Sequence, residues 1–234
     1  MSRVETLSRR AATPGTGKAS GTQRDGLLPE VVAPARGVFL MKPPHRKSIK
    51  HVHEPGHLHE FTFSCYQRRP LLTRDDWRWR LSESLDEAGR AEQIDLVAFV
   101  CMPEHVHLLV LPRSPQPELG RYLARIKQPV SRHVKESLTA DNSLLLDTLI
   151  VRERPGKTCF RFWQEGAGYD RNVFSRAAIL ASIDYLHANP VRRGLCERAT
   201  DWQWSSARYY LGTPPRQQHS GLPCVHGLPA DCTN

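Results

Sequence analysis

The residue pattern predicts an α+β domain, one antiparallel sheet backed by helices, with an extra helix towards the C-terminal end. Three observations carry that expectation. Between residues 58 and 66 apolar and polar side chains alternate, as in a strand with one buried face. Ile94 to Cys101 is apolar on both faces, and after Met102-Pro103-Glu104 a second such run goes from His105 to Leu111, which fits two antiparallel neighbours in a covered sheet. Between these runs lie stretches with apolar residues three to four apart, the period of a helix with one buried stripe.

Taken in order, Phe61, Phe63 and Cys65 form one face of the first strand and Glu60, Thr62 and Ser64 the other. Thr73 can cap a helix whose first turn holds Asp75 and Asp76, favourable at the positive end of the helix dipole. Trp77, Leu81, Leu85 and Ala88 give that helix its buried stripe. A second helix starts near Glu118 with Leu119, Leu123, Ile126 and Val130 as its stripe, and Pro129 is expected to kink or split it. Leu144 to Val151 reads as a short helix or an inserted strand, and Phe160 to Glu165 as a strand. Ser175 caps a last major helix, expected to end near His187 because Pro190 biases Asn189 away from helical angles. Strand, helix, strand, strand, helix, strand and a further helix make the split βαβ arrangement of a ferredoxin-like or RRM-like domain.

The chain has 234 residues, enough for one domain with tails, and a formal net charge of +9. That balance favours a polyanionic partner, usually nucleic acid. Residues 1–45 are rich in Arg, Pro, Gly, Ser and Thr and read as a disordered basic arm, residues 46–212 as the folded domain and residues 213–234 as a second disordered tail. No run approaches the roughly 20 apolar residues of a membrane span, and the first 25 residues lack the apolar centre of a secretory signal, so a cytoplasmic, nucleoid-associated protein is expected. The six cysteines show no CxxC pair and read as reduced thiols.

His105 and His107 stand two apart in EHVHLLV, so a strand places them on one face, roughly 7 Å apart along the chain. Two imidazoles so placed can meet one metal ion; two polar residues at an exposed sheet edge would show the same spacing. His57-Leu58-His59 repeats it beside Pro55-Gly56, where a loop-edge role fits better. On the last helix, Ile179, Ile183 and Leu186 share a face, while Tyr185 lies on a neighbouring strip with Ala178, Ser182 and Asn189. A tyrosine among small residues can present its hydroxyl to a ligand, although a boundary tyrosine facing solvent would look alike. Asn189, four residues on, could share that strip and supply a third metal ligand. Phenols are weak nucleophiles at neutral pH, so one that attacks a phosphate needs a divalent ion drawing charge from that phosphate.

The segments AFVCMPEHVHLLVLP, RFWQEG, DYLHANPVRRGL and DWQWSSARYYL together resemble the single-tyrosine HUH transposases, specifically the REP-associated tyrosine transposase branch, over roughly residues 57–212. The resemblance implies a ferredoxin-like fold, a Mg²⁺ or Mn²⁺ site, and cleavage and joining of single-stranded DNA near imperfect hairpins. It casts His105 and His107 as the two metal-binding histidines and Tyr185 as the nucleophile that stays joined to the 5′ phosphate. Asn189 falls where family members often carry a third polar ligand, frequently Gln. The long basic arm and the insertion around 139–157 depart from the family pattern.

Arg171 and Arg192-Arg193 bracket the tyrosine helix, and the second helix adds Arg121, Arg125 and Lys127; such clusters neutralise phosphates. Trp163, Trp202 and Trp204 are expected to pack onto the core. Single-stranded or hairpin DNA is thus the expected partner, bound by a monomer or a homodimer. Two other readings stand beside the transposase: a domesticated protein that binds hairpin DNA or RNA without cutting, and a metal-dependent nuclease that uses water.

Overall fold

A computed structural model describes residues 53–166, 168–212, 214 and 216–228. The arm read from the sequence over residues 1–45 lies outside the described residues. The elements are β1 (Leu58–Ser64), α1 (Asp75–Glu92), β2 (Ile94–Cys101), β3 (His105–Pro112), α2 (Leu119–Ala140), α3 (Leu144–Leu149), β4 (Ile150–Arg154), β5 (Lys157–Phe160), β6 (Tyr169–Val173), α4 (Arg176–Arg192) and α5 (Ala207–Leu211). Four strands form one antiparallel sheet in the order β2-β3-β1-β6, the strand order of a ferredoxin-like domain; β4 and β5 pair as a separate ribbon.

The period-two pattern of the strands divides the apolar groups between two cores. Phe61 and Phe63 of β1 and Val106, Leu108 and Val110 of β3 face α1 and α2, where they meet Trp77, Leu81, Tyr122 and Ile126. Leu58, Leu109 and Leu111 point the other way, onto Ile179, Ile183 and Leu186 of α4. Each such side chain contributes roughly 1.5–3 kcal/mol by leaving water, so both faces are firmly held. His105 and His107 alternate with Val106 and therefore lie on the α4 side, with Thr62 directly opposite His107 in the β1–β3 register.

Several expectations are corrected. The helix is not split at Pro129: α2 runs on to Ala140 because Tyr122, Ile126, Val130, Val134 and Leu138 keep one buried stripe in register across the proline. Similarly α4 does not stop near His187 but continues through Pro190 to Arg192, with His187, Asn189 and Pro190 all buried. In both helices packing outweighs a local backbone penalty of about 3 kcal/mol. The fourth strand of the sheet is β6, not residues 160–165. Phe162 and Trp163 are consecutive buried residues that pack edge-on against Trp77 and Phe63, so the aromatic pattern there reports core packing and only an isolated bridge to Cys65.

The tail expected beyond residue 213 is ordered over 216–228. Val225 is buried, His226 N donates to Leu96 O (2.8 Å), Cys224 N donates to Asp86 Oδ1 (2.8 Å), and the Gln218 amide brackets Val225. Together with Trp204 O, which accepts from Cys101 N (2.8 Å), this segment covers the free edge of β2. Trp163 and Trp204 are buried as expected, and Trp202 packs on both cores with Arg78 beside its ring.

Candidate active site between the sheet and the tyrosine helix

Four elements converge on a cavity of about 300 Å³ lined by Thr62, Arg68, His105, His107, Tyr185, Asn189, Arg192 and Arg193. β3 supplies the histidines and the adjacent position of β1 supplies Thr62. The turn after β1 brings Arg68, and the last two turns of α4 bring the rest. Because α4 stays helical through Pro190, Asn189 lies one turn beyond Tyr185 on the same strip.

The two histidines present their Nε2 atoms to each other at 2.9 Å, with the rings edge-on. Behind them, His105 Nδ1 donates to Glu104 Oε1 (3.0 Å) and His107 Nδ1 lies 2.7 Å from Thr62 Oγ1. The Glu104 carboxylate can only accept, so it fixes the His105 proton on Nδ1 and leaves Nε2 with a lone pair. The Thr62 hydroxyl can accept or donate, so His107 can carry its proton on either nitrogen. Two lone pairs 2.9 Å apart repel unless a proton or a cation lies between them.

Burial keeps both rings neutral. It lowers the His105 pKa despite the raising influence of Glu104, and it pushes His107 down to about 4, aided by the closeness of the His105 ring, with which it competes for a proton, and by the Arg68 charge. Glu104 remains an anion: burial works to raise its pKa, but the hydrogen bond from Arg193 (2.5 Å) and the neighbouring His105 outweigh that and leave it lowered. The third donor is within reach as well. Asn189 Nδ2 lies 3.2 Å from His107 Nε2, so the short side chain spans the gap, and a half-turn of the amide would present its oxygen instead.

Among the described residues no group of three or more His, Cys, Asp or Glu is arranged to hold a metal. The donor set here is a different one, two neutral imidazoles and an amide, with one nitrogen of each ring anchored from behind as metal-binding histidines usually are. Imidazole nitrogen suits first-row transition-metal ions better than Mg²⁺, which prefers an all-oxygen shell, while the amide oxygen suits either. The arrangement fits a divalent ion.

Tyr185 is 44% exposed, its ring edge-on to His107 with centroids 5.8 Å apart, and the Arg192 guanidinium lies 5.2 Å from the centre of its ring. Of the arginines and lysine expected at DNA, only Arg192 and Arg193 line this cavity. Arg121 and Arg125 both bind the buried Glu92 carboxylate (2.8 and 2.6 Å). Lys127 lies over the Phe63 ring, and burial lowers its pKa to about 8. Arg171 donates to Glu60 Oε2 (2.6 Å) and to Ser182 Oγ (2.9 Å), joining β6, β1 and α4 three residues before Tyr185. Thr62, Arg68 and Glu104 were missed by sequence reasoning. Thr62 and Glu104 carried a usable signal, the first on the polar face of β1 and the second beside His105 in PEHVH.

Residues 56–146 match the family model described as "Transposase IS200 like". That stretch holds Thr62, Glu104, His105 and His107, while α4 lies beyond it. This match bears out the resemblance read from the sequence at the level of IS200-like transposases over this stretch. A solved structure of a REP-associated tyrosine transposase bound to a REP hairpin is similar with a TM-score of 0.53 at 16% identity, covering 76% of this chain and 98% of that one, and it supports the fold. A Deinococcus radiodurans protein assigned as a transposase is 19% identical over 61% of this chain and 98% of its own, at a TM-score of 0.34, too loose a superposition to bear on the fold. No curated protein is significantly similar in sequence. Among the described residues no helix is long and apolar enough to cross a membrane.

Proposed function

We propose that this chain is a metal-dependent transposase that cleaves and rejoins single-stranded DNA at hairpin-associated sites through a phosphotyrosine at Tyr185. The observation that carries this reading is the half-exposed Tyr185 beside a pair of neutral histidines whose Nε2 atoms meet at 2.9 Å in one arginine-lined cavity. A protein that only binds DNA has no need of that pair, and a packing tyrosine would sit among large apolar residues. The likeness to a transposase solved on a REP hairpin agrees with hairpin DNA as the substrate.

A Mg²⁺ or Mn²⁺ ion held by His105, His107 and the Asn189 amide oxygen would draw charge from a non-bridging oxygen of the phosphate. The protein's own groups do the remainder. Arg192 and Arg193 hold the phosphate from the α4 side, where preformed positive charge stabilises the charge that develops in transfer. Tyr185 forms a bond from its oxygen to phosphorus while the P–O3′ bond breaks. The phenol proton goes to solvent, and the departing 3′ oxygen keeps the electron pair and takes up a proton. The 5′ phosphate stays on the tyrosine, so a second 3′ hydroxyl can reverse the reaction and join a new strand without outside energy.

The test is Tyr185→Phe, assayed on labelled hairpin oligonucleotides with Mn²⁺. Loss of cutting with hairpin binding within about twofold of wild type is expected, since removal of one exposed hydroxyl changes little else. Cutting at the wild-type rate by this variant would move the nucleophile to water.

A further inference from the structure

Three arginines line the cavity, and two are already engaged: Arg193 with Glu104 and Arg192 with the Tyr185 ring. Arg68 is different. Among the described residues its exposed guanidinium has no ion pair, hydrogen bond or ring partner. Its backbone is unusual too. Gln67 (φ 54°) and Arg68 (φ 55°) are consecutive left-handed residues, and among the described residues no other non-glycine pair is consecutive in this way. L-residues adopt that conformation at a cost, and such strain concentrates at functional sites whose surroundings enforce it.

The surroundings do enforce it. Gln67 N donates to Gln164 Oε1 (3.0 Å), Tyr66 N to Phe162 O (2.7 Å) and Arg68 N to Cys65 O (3.0 Å). Cys65 N and Leu72 N bond the carbonyls of Glu104 and Pro103 (both 2.8 Å), so the turn is tied to the one that leads into His105. Arg68 also lines a second cleft of about 400 Å³ with Thr62, Ser64, Gln164, Gly168 and Tyr169, so it stands where the two cavities meet. An arginine kept for structure would have an acceptor, and a glycine would fit this backbone more easily.

We propose that Arg68 contacts the scissile phosphate, presenting its guanidinium to a non-bridging oxygen from the β1 side as the strand passes from Tyr185 towards the second cleft. This rests on the strand-cleavage reading of the cavity. Guanidinium suits the task because its planar fork can bind two phosphate oxygens at once.

The test combines three variants with two readouts. Affinity for a labelled single-stranded hairpin oligonucleotide, measured in chelator across a salt series, reads phosphate contacts directly. Arg68→Ala is expected to make log K against log salt shallower by about 0.7, the value for one single-strand phosphate contact. With Mn²⁺ the same variant is expected to cut ~10²–10³ times more slowly in a single turnover, as when one preformed transition-state donor is removed. Arg68→Lys keeps the salt slope and recovers part of the rate. Arg68→Gly relieves the backbone, so it melts no lower than wild type yet cuts as poorly as the alanine variant. An unchanged salt slope overturns the phosphate contact whatever the rate does, and a markedly lower melting temperature for Arg68→Gly marks the arginine as structural. If wild type binds the hairpin but never cuts it, the cleavage reading fails and the slope alone still decides the contact.

Discussion

The chain carries two His-x-His pairs of identical spacing, and the fold treats them in opposite ways. His105 and His107 both lie inside β3, on the face towards α4, and each has one nitrogen held from behind and one turned into the cavity. His57 precedes β1, stacks on Phe174 (4.8 Å between centroids) and lies 3.6 Å from Glu54. His59 points into the other core, fully buried, with Nδ1 2.9 Å from Asp170 and Nε2 3.1 Å from His53. Both of its ring nitrogens are engaged. Spacing of two therefore makes a metal candidate only when both residues belong to one strand, share an accessible face and keep one nitrogen each in reserve.

The largest effect expected from this contrast is on catalysis. His105→Ala or His107→Ala should slow metal-dependent cutting of hairpin oligonucleotides by ~10³-fold or more, since bound metal supplies several kcal/mol to phosphoryl chemistry. His57→Ala, a half-buried residue at a strand entrance, should stay within about twofold of wild type. Equal losses in both pairs would break the comparison.

A smaller effect separates the anchors behind the rings. Thr62→Val and Glu104→Ala should weaken Mn²⁺ binding ~10–100-fold, the usual consequence of removing a ligand's hydrogen-bond partner, when titrated by the paramagnetic resonance of the free ion. Asp170→Ala, which removes the corresponding partner of His59, should leave Mn²⁺ affinity unchanged.

Smaller again is the pH dependence of stability on the α4 side. Burial also pushes His187 down to about 4, with its Nε2 2.8 Å from Ser206 Oγ. Above the ordinary histidine value near 6.5 both folded and unfolded chains are neutral here and nothing is lost. As pH falls below it, the unfolded chain takes a proton that the folded chain refuses, so stability drops until about pH 4. The drop amounts to about 2 kcal/mol by pH 5. Urea midpoints at pH 7 and pH 5 in chelator should show this decline, and His187→Gln should reduce it; the same decline in that variant would place its origin elsewhere.

The same logic explains which parts were readable in advance. β1, α1, β2, β3 and the start of α2 carry clean apolar periods because each buries a continuous face, so the sheet's inner strands and the histidine pair were legible. β6 was not: Tyr169, Asp170, Arg171 and Asn172 form an edge strand held by backbone pairing and polar contacts, which leave no period. The course of α4 beyond His187 was hidden because a local rule about proline competes with packing that the sequence does not display. Arg68 was invisible for a further reason. Nothing in CYQRRP announces a left-handed pair, which neighbours distant in sequence impose. Arg121, Arg125 and Arg171 lie away from the cavity, and counting cations cannot reveal that Arg121 and Arg125 share the Glu92 carboxylate or that Arg171 binds Glu60.

The most direct measurement is to trap the protein on a labelled hairpin oligonucleotide with Mn²⁺, digest it with nuclease and trypsin, and locate the residual nucleotide by mass spectrometry. It should sit on the fragment 177–192, whose single tyrosine is Tyr185, and it should vanish in chelator and in His105→Ala. A nucleotide on any other fragment, or cut DNA with no protein-linked nucleotide, would contradict the assignment of Tyr185 as the attacking group beside the His105–His107 pair.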